Sequence, residues 1–235
     1  MIRTEQTKRN PLRILEHSSR GELGKGNIGV IAARKGVGKT ACLVHIATDE
    51  LFNNKHIIHV SFAANTGHII SWYEDIFEEI AKKFNIESAM DVHDQIVKNR
   101  IIMNFNQDGV KINQITNSIK SLIKDGHFSA DSIIVDGYDF HKCTVDDLKV
   151  IRNFAAELGL EIWFSVSLKD NEIVPDGKGV PDLLTAFINE ISIIIYMKPV
   201  KDYINLQLVK DHEILPVHDM HLKLDPLSLL IVETE

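Results

Sequence analysis

At 235 residues the chain is long enough to bury a core as one large domain without disulfides or metals, and 44% apolar with 25% charged residues is the balance of a folded soluble protein. A formal charge of −7 argues against a surface built to neutralise nucleic-acid phosphates, and two cysteines, Cys42 and Cys143, are too few for a disulfide framework or a cysteine metal site. The N-terminal stretch lacks an apolar signal region and no run approaches the roughly 18 apolar residues of a membrane span, so a reducing, cytoplasmic setting is expected and membrane insertion is not.

Residues 1–25 carry Lys8, Arg9 and Arg13 and read as a solvated leader ahead of a single domain over 26–235. Gly21, Gly24, Gly26 and Gly29 crowd the approach to an apolar run at 28–33, which predicts a buried strand ending in a glycine-containing turn. From Thr40 apolar residues recur at helical spacing, completing a first strand, loop and helix. A second strand at 56–62 feeds a helix at 69–84 with Trp72, Ile76, Phe77 and Ile80 on one face. Trp72 and Tyr73 interleave with these core-spaced residues and belong to packing rather than to base stacking.

A third strand at 100–105 leads through Asp108 and Gly109 to an amphipathic helix bearing Ile112, Ile115, Ile119 and Ile123. A β-branched strand at 132–135, a helix at 145–158 and a strand at 160–166 continue the alternation. Near-continuous apolar strands separated by helices imply parallel pairing with helices on both faces. Beyond Glu190, strands at 191–197, 202–209, 220–224 and 229–232 lie too close together for helices and predict antiparallel ribbons at the sheet edge. His218 and His221 fall on one of these ribbons, where three-residue spacing sets side chains on opposite faces and disfavours a metal pair.

The segment Ala33, Arg34, Lys35, Gly36, Val37, Gly38, Lys39, Thr40 fits the phosphate-loop pattern G-x-x-x-x-G-K-[ST], with Ala33 replacing the first glycine. Gly36 and Gly38 let backbone amides turn toward phosphate oxygens, and the helix opening at Lys39 and continuing through Ala41 points its positive end at the same place. Lys39 is the candidate charge for β- and γ-phosphates and the Thr40 hydroxyl the candidate Mg²⁺ ligand. The strand Ile133, Ile134, Val135, Asp136 ends in a carboxylate at the edge where a parallel sheet places its ligands, which makes Asp136 a second candidate for the Mg²⁺ shell.

On these residues the chain resembles the RecA-like superfamily, and most closely the ATPase core of DnaB-type helicases and KaiC-type ATPases. The resemblance spans residues 12–233 and is specific at the residue level in the phosphate loop. It implies a RecA-like three-layer α/β/α P-loop NTPase fold, ATP and Mg²⁺ as cofactors, and homo-oligomeric or other protein partners, with no membrane. Lys39, Thr40 and Asp136 match the family.

Three positions depart from it. Where DnaB-type helicases carry a catalytic glutamate after the second strand, this chain has Ala63, in the run Ser61, Phe62, Ala63, Ala64, Asn65. The polar sensor at the end of a later strand is replaced by the hydroxyls Ser165 and Ser167, and the trans-acting Lys-x-Arg corresponds to Lys210, Asp211 and His212. Weak hydrolysis is therefore expected, with Glu74, Asp75, Asp139 and Ser165 as candidate catalytic substitutes. The loop 169–182 holds Asp170, Glu172, Asp176 and Asp182 and reads as a partner-binding linker rather than a nucleic-acid contact. A ParA- or MinD-type reading would need a lysine where Arg34 stands, with Lys35 one residue late. An ATP-dependent switch or assembly module is the leading reading, an active Mg-ATPase and a scaffold with a vestigial site the alternatives.

Overall fold

A computed structural model of the chain describes residues 22–63, 67–106, 109–172, 179–215 and 218–233. Most of the leader, with Lys8, Arg9 and Arg13, lies outside them, as do Ala64, Asn65, Asp108, Asp176 and Gly177. The strands are β1 (Ile28–Arg34), β2 (Ile57–Ser61), β3 (Arg100–Asn104), β4 (Ser132–Asp136), β5 (Glu161–Leu168), β6 (Ile193–Pro199), β7 (Ile204–Asp211), β8 (His218–Leu224) and β9 (Ile231–Glu233). The helices are α1 (Lys39–Phe52), α2 (Gly67–Phe84), α3 (Ala89–Lys98), α4 (Ile112–Lys124), α5 (Val145–Leu158) and a short α6 (Asp182–Thr185).

All nine strands form one sheet, in the order β3-β2-β4-β5-β1-β6-β7-β8-β9. Pairing is parallel from β3 to β6 and antiparallel from β6 to β9, so the expected C-terminal ribbons are present. The central strands are buried on both faces, which is why they read as unbroken apolar runs. Ile31, Ile57, Ile134 and Trp163 pack against α1 and α2, whereas Ile28, Ile58, Ile133 and Phe164 pack against α4 and α5. The molecule is thus an α/β protein with helices on both faces of a mixed sheet.

Helix α5 spans the residues that the sequence predicts because both ends are signalled. Thr144 caps it by accepting from the Asp147 amide, Asp147 returns the bond, and Gly159 closes it in a left-handed conformation at φ 65°. Helix α3 is short and its apolar face narrow, with Ile96 buried and Ala89 and Val92 partly buried against the α1-side core, while Met90 and Val97 are exposed. Strand β6 begins two residues later than expected, since residues 187–192 turn instead around the Lys210 side chain, and β7 also begins two residues late, at Ile204. Gly29 serves packing rather than a turn. A Cβ there would stand 2.4 Å from the ring of Trp163, its register partner on β5.

Candidate functional site

The phosphate-loop segment sits at the carboxyl end of β1. Ala33 is fully buried as part of β1 and sits in the α1-side core, which is how alanine is accommodated where the pattern has glycine. Arg34 and Lys35 are exposed, Val37 is buried, and the turn is made by Gly36 at φ 82° and Gly38 at φ 102°. At Gly38 the requirement is double, because an added Cβ would also approach a Leu224 methyl at 2.8 Å.

Helix α1 starts directly after Gly38, whose carbonyl takes the first helical bond from Cys42 at 3.0 Å. Its first turn holds no acidic residue and its cap no side-chain bond, so the helix itself supplies nothing to cap the amides of residues 39–41 at its positive end. The helix is buried nearly all round, including His45, Thr48, Asp49 and Glu50. Burial pushes the Cys42 thiol up to about 12 and the His45 imidazole down to about 3, leaving both neutral and inert.

Lys39 is almost completely buried, and its Nζ donates to the carbonyls of Arg34 at 2.8 Å and Ala33 at 3.3 Å. Burial lowers its pKa to about 8, against the pull of the Asp136 charge. An anion arriving at the loop would supply the missing countercharge.

Asp136 is the last residue of β4, on the α1 face of the sheet, and β5 separates β4 from β1. Thr40 Oγ1 donates to its Oδ2 at 2.9 Å and Ser165 Oγ to its Oδ1 at 2.6 Å. Ser165 also accepts from the Gly137 amide at 2.9 Å, so its one donor is spent on the carboxylate and its position is fixed by the backbone. Thr40 and Asp136, read separately as candidate Mg²⁺ ligands at distant sequence positions, are brought into direct contact. A hydroxyl beside a hard carboxylate suits Mg²⁺, which keeps most of its waters and asks one or two groups of the protein.

The other candidates lie elsewhere. Ala63 follows β2, beside β4, with its amide on Ser61 Oγ at 3.1 Å, and brings no carboxylate to Asp136. Glu74 is held by His93 Nε2 at 2.5 Å and lies 3.8 Å from Arg100. Arg100 aligns with Ile57 and Asp136 with Ser61, four residues apart along β2, which puts the Glu74 partner roughly 13 Å toward the amino edge. Asp75, its neighbour on α2, is exposed. Asp139 turns away into a loop, where it meets His141 Nδ1 at 3.2 Å while His141 Nε2 faces Glu172 at 2.9 Å.

Arg34 pairs with Asp170 at 3.5 Å. Lys210 Nζ donates to the Ile188 and Ile191 carbonyls of its own chain, and His212 faces Asp211 at 2.8 Å and the Leu23 carbonyl at 3.3 Å. These groups lie at the start of β6, across the sheet from Lys39, so they do not stand as free trans-acting cations. His218 sits on β8 and His221 adopts φ 54° beside a register shift in the β7–β8 pairing.

Sequence reasoning missed His59, fully buried in mid-strand with Nδ1 3.0 Å from the Tyr73 hydroxyl and its ring edge-on to that tyrosine. Burial lowers its pKa to about 4, partly offset by Asp136 and reinforced by Arg100, whose guanidinium lies 4.1 Å from the Tyr73 ring centre. A histidine inside an otherwise apolar strand was the available signal. Among the described residues no helix is long and apolar enough to cross a membrane. The chain matches no protein-family model and no curated protein.

Proposed function

We propose that this chain is a RecA-like P-loop protein that binds ATP with Mg²⁺ and acts as a nucleotide-dependent switch or assembly module with weak turnover. The observation that carries the reading is the contact between Thr40 and Asp136 beside a buried Lys39, all at the mouth of a glycine turn that opens α1. In that reading the free amides of the first helical turn and the Lys39 ammonium receive the β- and γ-phosphates. Lys39 exchanges its bonds to the Ala33 and Arg34 carbonyls for phosphate oxygens. Mg²⁺, when bound, neutralises charge building up on the phosphates, and Thr40 with Asp136 would hold it. The separation of β1 from β4 by β5 supports the RecA-like assignment over the ParA or MinD type.

Slow hydrolysis follows from what surrounds Asp136. The end of β2 offers Ser61 and Ala63, Ser165 is committed to orienting Asp136, and Glu74 is engaged by His93. No group described there is placed to take a proton from an attacking water. Calorimetric titration of the chain with ATP and with a non-hydrolysable analogue in Mg²⁺, followed by phosphate release on the same sample, tests the reading. Micromolar affinity for both with negligible release is the expected result. Brisk release would overturn the switch, and absence of binding the nucleotide site itself.

A further inference from the structure

The face of the sheet opposite α1 carries a second concave site. The carboxyl ends of β2 and β4 and the amino end of α4 enclose a cleft of about 300 Å³, lined by Phe62, Tyr138, Lys111, Asn113, Asp139 and Lys142 among others. None of the phosphate-loop residues contributes to it. Its walls come from elements on the α4 and α5 side, whereas Ala33 and the α1 core lie on the other side.

One wall is aromatic. The Phe62 and Tyr138 rings stand 5.5 Å apart at 59°, Phe105 lies 6.1 Å from Phe62, and Phe164 lies 6.1 Å from Tyr138. Tyr138 is half-buried, so part of its ring is available to the cleft, while the buried Phe62 gives the wall its rigidity. The rim is polar, with Lys111 exposed at the cap position of α4 and Lys142 exposed on the loop after β4.

The two rim carboxylates are already engaged. Asp147 accepts from the Thr144 amide at 2.9 Å and from its hydroxyl at 2.7 Å, and Asp139 faces His141 at 3.2 Å with Lys142 at 3.8 Å. A ligand in the cleft therefore meets the accessible part of the Tyr138 ring, set at an angle to Phe62, the free Lys111 ammonium, the Lys142 ammonium with Asp139 beside it, and the Asn113 amide. Those are the complements of a planar ring that carries an anion and has polar edges. The volume is at the low end for ligand clefts, and suits one ring system with one acidic group better than a triphosphate.

We propose that this cleft is a second ligand site, taking a nucleoside monophosphate with its base against Phe62 and Tyr138 and its phosphate toward Lys111 and Lys142. Occupancy would be felt at the first site through one hydrogen bond and one short covalent link. The Phe62 amide donates to the Asp136 carbonyl at 3.0 Å, and Tyr138 follows Asp136 by two residues, next to the Gly137 amide held by Ser165. The cleft itself does not depend on the phosphate-loop reading.

The test uses the full chain with Lys39→Ala, so that the phosphate loop is removed as a competitor, and AMP as the probe. Calorimetry and ligand-observed saturation-transfer NMR should detect AMP binding, with Tyr138→Ala and the exposed Lys111→Glu each weakening it tenfold or more. Adenosine, without the anion, should bind tenfold or more weakly. In the parent chain AMP should remain bound when ATP is saturating. The proposal is overturned by no AMP binding at millimolar concentration, by variants that bind AMP like the parent, by adenosine matching AMP, or by displacement of AMP with ATP.

Discussion

The two edges of the parallel sheet carry polar groups of similar kinds and use them oppositely. At the amino edge Lys210 is consumed by the Ile188 and Ile191 carbonyls, His212 by Asp211 and the Leu23 carbonyl, and Glu74 by His93 and Arg100. At the carboxyl edge the amides at the start of α1 have no capping side chain, and Lys39 rests on two strand-end carbonyls with its charge only partly compensated. Charge density therefore does not mark a site here. Backbone donors gathered at the start of α1 and not spent on a cap do, since Lys39, like Lys210, already donates to two carbonyls.

The sharpest way to break this contrast is Lys39→Ala. If the carboxyl edge is where a triphosphate is held, the substitution lowers ATP affinity by about 100-fold or more, the scale of a charge-assisted bond to phosphate in a partly dry site. The melting temperature should fall modestly, because the Ala33 and Arg34 carbonyls lose their donor while the cost of burying the ammonium is relieved. Calorimetry on the parent and variant, with thermal melts alongside, reads both quantities. Unchanged affinity would remove the carboxyl edge from consideration.

Ala63→Glu addresses the same edge from the other side. The position follows the end of β2, beside Asp136, and is half-buried, so a glutamate can occupy it without entering the core. A carboxylate there should raise phosphate release about tenfold or more, the lower range for a positioned general base, with ATP affinity little changed. Release that stays flat would mean that more than the missing carboxylate limits turnover.

For the amino edge the corresponding variant is Lys210→Met. It leaves two buried carbonyls without their donor and should destabilise the chain by about 1–3 kcal/mol, read as a fall in denaturation midpoint. Nucleotide affinity should stay within experimental scatter. A loss of affinity comparable to that of Lys39→Ala would erase the distinction between the edges.

These residues also show where the sequence was legible. Gly36, Gly38, Lys39 and Thr40 are contiguous, so a local pattern could identify them, and the β1-loop-α1 context follows from apolar periodicity. Asp136 was legible because it ends an apolar strand, while its direct contact with Thr40, two residues read separately as candidate Mg²⁺ ligands, appears only in the structure. The fates of Glu74, Lys210 and Ser165 were not legible. Each depends on a partner set by tertiary packing, namely His93 from α3, the carbonyls of the turn before β6, and the Gly137 amide. Helix α3 was missed although Ala89, Val92 and Ile96 recur at helical spacing against the core, because exposed Met90 and Val97 blur so short a rhythm.

The smallest effect concerns pH. Burial lowers Lys39 from its ordinary 10.5 to about 8, so the folded chain releases this proton more readily than the unfolded one. The cost of burying the ammonium is full below about pH 8 and is relieved as pH rises toward 10.5, a window in which this group makes stability increase with pH. Nucleotide binding runs the other way, because phosphate oxygens favour the charged amine and so raise its pKa in the complex. ATP affinity should accordingly be flat below about pH 8 and fall above it by a few-fold per pH unit, approaching tenfold if a single proton is linked. The decline should vanish in Lys39→Arg, whose guanidinium keeps its charge throughout, provided that variant still binds. Because Lys210 is also lowered by burial but lies at the opposite edge of the sheet, Lys210→Met should leave the pH profile of ATP affinity unaltered, which separates the two buried lysines by position rather than by burial.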